Sequence, residues 1–124
     1  MLSNAPVTAI APAQNIERAK KFYGETLGLK SLPAPTSDDA LFEAGKGTTI
    51  YLYQRPPSHA EHTLAAFLVD NIEEEMKALK DKGVVFEEYD MPGLKTENGV
   101  ATWGNAKSAW FKDSEGNILS LTQM

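Results

Sequence analysis

The tripeptide Asn-Ile-Glu opens two stretches of this chain 56 residues apart, "NIERAKKFYGETLGL" from Asn15 and "NIEEEMKALKDKGVV" from Asn71. Each stretch is punctuated as a helix. Asn15 and Asn71 are good N-caps, and Glu17 suits the positive end of a helix dipole. Glu74 stands three residues after Asn71 in the capping-box position, while Gly28 and Gly83 supply left-handed stops. Ile16, Ala19, Phe22 or Tyr23, and Leu27 recur at helical spacing in the first copy. The second stripe is narrower, Ile72, Met76 and Leu79, which predicts a helix lying on a sheet with its other side in water. A repeat of this kind makes the chain two copies of one unit.

A strand-like run precedes each helix, "VTAIAPA" in the first half and "TLAAFLV" in the second. Short β-rich runs follow each helix: "LKSLP", "ALFEAG" and "TTIYLYQ", then "VVFEEY", "VATWG" with "SAWFK", and "NILSLTQ". "TSDD", "GKG", "MPGLKTENG" and "DSEGN" break them as turns. Each half therefore reads β-α-β-β-β. "QRPPSHAEH" has the proline and polar content of a linker, so the expected organisation is one domain over 1–124. Module one covers 1–57, the linker 55–62 and module two 62–124. A unit of about 60 residues with one bare sheet face is only marginally stable alone. Two such units side by side place helices on the outer face, and their curved mixed sheets enclose a cleft.

Composition narrows the function. The net charge of −5, with lysines interleaved among acids, argues against a nucleic-acid surface. Absence of cysteine removes disulfides, thiolate metal sites and cysteine nucleophiles. No apolar run approaches the roughly 20 residues of a membrane span, and the first residues lack the pattern of a secretory signal. A cytoplasmic protein with a metabolite-sized partner is expected. There is no P-loop around "GETLG" and no G-x-S-x-G elbow. Glu73, Glu74 and Glu75 favour a helix start and face solvent; Glu87, Glu88 and Asp90 read as an exposed edge, with a catalytic acid among them left open.

In order and spacing, "FYGETLGL", "VDNIEEEMKALKDKGV" and "FKDSEGNILSL" resemble the vicinal oxygen chelate superfamily, which includes glyoxalase I, extradiol dioxygenases and the fosfomycin and bleomycin resistance proteins. The resemblance covers nearly the whole chain, with Ser114 standing where a proline is common. It implies an α+β fold of two tandem βαβββ modules and a homodimer. It also implies a cleft in which metal-dependent members hold a divalent ion with His, Glu or Gln, two from each half. The matching positions here are Thr8, Tyr51, Leu64 and Ser120. Leu64 cannot coordinate, and neutral Thr and Ser hydroxyls are poor ligands. The resemblance therefore implies a branch without the usual metal ligands, and neither metal nor other cofactor is expected. His62 lies two residues before Leu64 and would reach a ligand position if the alignment slipped by two; the linker reading of His59 and His62 is preferred.

Strand alternation separates two faces. Ile50 and Leu52 oppose Thr49, Tyr51 and Tyr53; Leu119 and Leu121 oppose Ile118, Ser120 and Thr122. Val7, Ala9 and Ala11 oppose Thr8 and Ile10, and Phe67 and Val69 oppose Leu64, Ala66 and Leu68. The candidate ligand-binding residues are thus Thr8, Tyr51, Tyr53, Leu64, Trp103, Trp110 and Ser120. Trp103 and Trp110 serve either as core or dimer-contact residues or as stacking walls, and Thr8 and Ser120 either as plain strand hydroxyls or as polar contacts. The expected function is metal-free binding of a small aromatic or amphipathic molecule, as in bleomycin-type resistance proteins. The alternative is a metal-dependent lyase, isomerase or dioxygenase with displaced ligands.

Overall fold

Both asparagines cap helices through the same bond. In the computed structural model, which describes residues 1–124, Asn15 Oδ1 accepts the Arg18 N–H at 3.0 Å and Asn71 Oδ1 accepts the Glu74 N–H at 3.1 Å. Each cap residue is extended, and its side chain replaces an acceptor that the first helical turn lacks. Helix α1 (Ile16–Lys21) widens into a π-helical turn over Phe22–Thr26, closed by the Leu27 N–H on the Phe22 carbonyl at 2.9 Å. Gly28, at φ +72°, then turns the chain out. Helix α2 (Ile72–Asp81) has a second tie at its start, the Ile72 N–H donating to Gln123 Oε1 at 2.8 Å.

The chain forms two compact units, Met1–Ser58 and His59–Met124. The first holds β1 (Thr8–Ala13), α1, β2 (Lys30–Leu32), β3 (Asp39–Glu43) and β4 (Thr49–Gln54). Its sheet order is β1-β4-β3-β2, with β1 and β4 parallel and the other pairs antiparallel. The second holds β5 (Thr63–Leu68), α2, a small hairpin of β6 (Asp90–Met91) and β7 (Leu94–Lys95), then β8 (Ala101–Trp103), β9 (Ala106–Lys112) and β10 (Ile118–Gln123). Its order, β5-β10-β9-β8, repeats the first with the same parallel pair. The fold is α+β, two tandem βαβββ modules with mixed four-stranded sheets. No strand or helix falls between Gln54 and Thr63, and His59 and His62 are exposed there.

Each helix covers one face of its own sheet. In the first unit Ala11, Ala13, Ala40, Phe42, Ile50 and Leu52 are buried together with Ile16, Ala19 and Tyr23. The alanines of β1 lack bulk, and Tyr23 stacks on Phe42 with ring centroids 6.0 Å apart. Gly24 leaves its backbone so near that an added Cβ would lie 3.4 Å from the Phe42 ring. In the second unit Ile72 and Met76 of α2 are buried with Ala109, Phe111, Leu119 and Leu121. Burial of each large apolar side chain contributes about 1.5–3 kcal/mol.

The segment "VVFEEY", expected to be a strand, is not one. It makes a single bridge, Phe86 with Phe111, and the Glu87 N–H donates to the Trp110 carbonyl at 2.8 Å. Beyond it the Tyr89 backbone turns to Thr96, its N–H donating to Thr96 Oγ1 at 2.8 Å and its carbonyl accepting the Thr96 N–H at 2.9 Å. Glu88 Oε1 accepts the Thr96 hydroxyl at 2.6 Å and the Gly99 N–H at 2.9 Å. That carboxylate closes residues 88–99 into a loop. "VATWG" and "SAWFK", read together from sequence, are the separate strands β8 and β9, which restores the three-strand count of the module.

Candidate functional site

Strand alternation leaves one face of each sheet without a helix. In the first unit the cross-strand register sets Ile10, Tyr51 and Leu41 in one row and Pro12, Tyr53 and Asp39 in the next. The Tyr51 hydroxyl donates to Asp39 Oδ2, diagonally across β3 and β4. That hydrogen bond, then desolvation and the Asp39 charge, holds the Tyr51 phenol above its ordinary pKa of 10.0, so it stays neutral. Its proton is committed to Asp39, and what it offers a visitor is an oxygen acceptor and a ring face. Tyr53 accepts from Arg55 Nη1 at 3.4 Å. Thr8 Oγ1 donates to the Thr49 carbonyl at 3.0 Å and accepts the Thr49 hydroxyl at 2.6 Å. Ile10, on the same face, is 56% exposed.

The helix-free face of the second unit is aromatic. Trp110 sits directly across from Ser120 in the β9–β10 ladder. Its indole N–H donates to Thr63 Oγ1 at 3.0 Å, which leaves the ring free to act as an apolar wall. Tyr89 and Trp103 meet Trp110 edge-on, with centroids 5.5 Å and 6.2 Å away. Desolvation, and then the Glu87 charge, raises the Tyr89 phenol. Ser120 is buried, Ser108 and Thr122 share a hydroxyl contact at 3.0 Å, and Trp103 is about half exposed. Leu64 is the extra residue of a bulge, because Thr63 pairs with Ile118 while Ala65 pairs with Leu119.

The first sheet therefore groups Thr8, Tyr51 and Tyr53, and the second groups Trp103, Trp110 and Ser120 with Leu64 at the bulge. Asp39, Tyr89 and Thr63 were not anticipated. For Asp39 a signal existed, since Asp39, Leu41 and Glu43 alternate along β3, but "TSDD" reads more strongly as a turn. For Tyr89 there was none, because its position depends on the loop closed by Glu88.

The four positions that the resemblance matches to a divalent-ion site carry side chains that do not suit one. Tyr51 is held as a neutral phenol, Thr8 is a neutral hydroxyl whose oxygen already accepts from Thr49, Leu64 has no ligating atom, and Ser120 is a neutral hydroxyl. No group of three or more His, Cys, Asp or Glu side chains comes together to hold a metal ion. His62, the one imidazole near a ligand position, is exposed, with Nδ1 3.3 Å from the Thr63 carbonyl.

Comparison with known proteins agrees with this architecture. An integron cassette protein from the mobile metagenome of the Halifax Harbour sewage outfall superimposes with a TM-score of 0.73 at 22% identity, covering 98% of this chain and 99% of that one. The genomically encoded fosfomycin resistance protein FosX of Listeria monocytogenes gives 0.74 at 13% identity, with 100% and 93% covered. Lactoylglutathione lyase from Agrobacterium tumefaciens gives 0.72 at 15%, with 98% and 95% covered. Among curated proteins, no sequence matches the chain. At these identities the structures speak to the fold alone. The model of one sequence family, however, matches residues 7–121: the chain belongs to the Glyoxalase/Bleomycin resistance protein/Dioxygenase superfamily.

Proposed function

We propose that this protein is a metal-free member of its superfamily that binds a small aromatic or amphipathic molecule. Thr8, Tyr51, Tyr53, Leu64, Trp103, Trp110 and Ser120 are the proposed contacts, joined by Asp39 and Tyr89. The observation that carries the reading is the commitment of the Tyr51 proton to Asp39. A phenol held neutral in this way is a poor metal ligand but a good hydrogen-bond acceptor on an apolar wall. The cluster of Trp110, Trp103 and Tyr89 supports an aromatic ligand, since aromatic side chains with a few placed polar groups are what small-molecule sites are built from.

The same reading makes 1–124 a single functional domain in which 55–62 links modules 1–57 and 62–124. It also makes the protein a cytoplasmic homodimer with no nucleic-acid partner. No helix is long and apolar enough to cross a membrane. The test is titration of protein purified without chelator against a panel of aromatic metabolites and antibiotics, bleomycin and fosfomycin included. Calorimetry and tryptophan fluorescence are the readouts, and elemental analysis runs alongside. Saturable binding that quenches fluorescence and weakens in Trp110→Phe supports the proposal. A panel without binders, or a stoichiometric metal lost in His62→Ala, refutes it.

A further inference from the structure

The second unit carries a groove on the opposite side of its sheet from Trp110 and Ser120. Lys107 and Thr102 pair across β8 and β9 and alternate with the residues of the aromatic face, so they point toward α2. Together with α2 and the strand β7 they line a depression of about 720 Å3. Its floor is Met76 and Val100, and its rim is cationic: Lys77 and Lys80 from α2, Lys95 from β7 and Lys107 from β9. Two glutamates oppose these four lysines, Glu73 and Glu97. Lys107 is matched by Glu73, at 2.8 Å. Lys80 rests 5.9 Å from the Phe86 ring centroid and its charge also acts on the Glu88 carboxylate, while Lys77 and Lys95 carry no ion pair.

The chain as a whole is acidic, at −5. Among the lining residues four lysines against two glutamates, delivered by separate segments into one concavity, run against that background, with Glu88 offsetting part of the Lys80 charge. An excess of one sign of charge around a concavity with apolar walls concentrates counter-ions there. The volume lies within the range of metabolite sites, and an apolar floor under a charged rim suits a ligand with a carbon skeleton and anionic ends. We propose that this groove is a second binding site, specific for a small organic dianion of the phosphate monoester or dicarboxylate class. Lys77, Lys80 and Lys95 meet its charges, and Met76 and Val100 carry its carbon skeleton.

Phenyl phosphate and succinate, at constant ionic strength, are the probes, followed by amide chemical shifts. The expected result is saturable shifts confined to residues 73–80 and 94–107, for one probe or both. The probe that binds distinguishes a phosphate site from a dicarboxylate site. Lys77→Gln combined with Lys95→Gln lies on the exposed surface and leaves the fold intact by circular dichroism. It weakens binding about fivefold or more. Three outcomes overturn the proposal: no saturation up to about 10 mM, a range that still detects affinities weaker than millimolar; equal shifts around Lys20, Lys21 and Lys30, which mark non-specific screening; or shifts confined to Tyr89, Trp103 and Trp110.

Discussion

Replacing Asp113 with alanine tests how the turn between β9 and β10 is held, and with it the register that sets Trp110 across from Ser120. Asp113 is 6% exposed. Its Oδ1 accepts the Glu115 N–H at 2.8 Å and the Asn117 N–H at 2.9 Å, and its Oδ2 accepts Asn117 Nδ2 at 2.8 Å. Asn117 is buried as well, so alanine takes an acceptor away from two donors that water cannot easily reach. Each costs about 1–2 kcal/mol when left unsatisfied, whereas the less buried Glu115 N–H rehydrates at little cost. The expected loss is therefore about 2–4 kcal/mol, equivalent to roughly 10 °C in Tm for a chain of this size. Asp113→Asn keeps an oxygen for the two backbone donors and sets an amide against Asn117 Nδ2. It should lose about half as much. Urea unfolding followed by tryptophan fluorescence and circular dichroism, with the m-value unchanged, measures both. A loss below about 1 kcal/mol for alanine, or equal losses for the two variants, would refute the claim that acceptor geometry holds the turn.

Asn71→Ala should cost about 1 kcal/mol in the same assay, and Gln123→Ala a similar amount by stranding the Ile72 N–H; no change in either means that α2 is capped by water. Glu88 has its pKa lowered by the Thr96 hydroxyl first, then by the Gly99 N–H and the Lys80 charge, with desolvation opposing. A carboxylate depressed in the folded state stabilises above its ordinary 4.5 and loses that contribution as pH falls through the folded value. Glu88→Gln should accordingly flatten the acid limb of the stability curve below pH 4.5, and an unaltered limb contradicts the assignment. For Tyr51 the sign reverses: its raised pKa favours the neutral phenol, a contribution lost as pH rises above 10.0. Asp39→Asn should bring one tyrosine titration, read by absorbance near 295 nm, down toward the ordinary value, and Tyr51→Phe should abolish that titration.

The repeated Asn-Ile-Glu was enough to locate both helices, because an N-cap and a left-handed glycine act within a few residues of chain. Alternation within β4 and β10 likewise separated Tyr51 from Leu52 and Ser120 from Leu121, since a strand turns successive side chains to opposite faces whatever lies beside it. None of this reached across strands. That Tyr51 finds Asp39 depends on the β3–β4 register, which the intervening turn sets. That Trp110 finds Thr63 depends on a bulge at Leu64 that alternation cannot show. "VVFEEY" has every local mark of a strand, yet the Tyr89 backbone pairs with Thr96 and the Glu88 carboxylate with Thr96 and Gly99, contacts that exist only once residues 88–99 have closed. Local preference is written in neighbours along the chain. The partners that give the site its protons and its aromatic wall come from segments separated in sequence, and folding alone brings them within hydrogen-bonding distance.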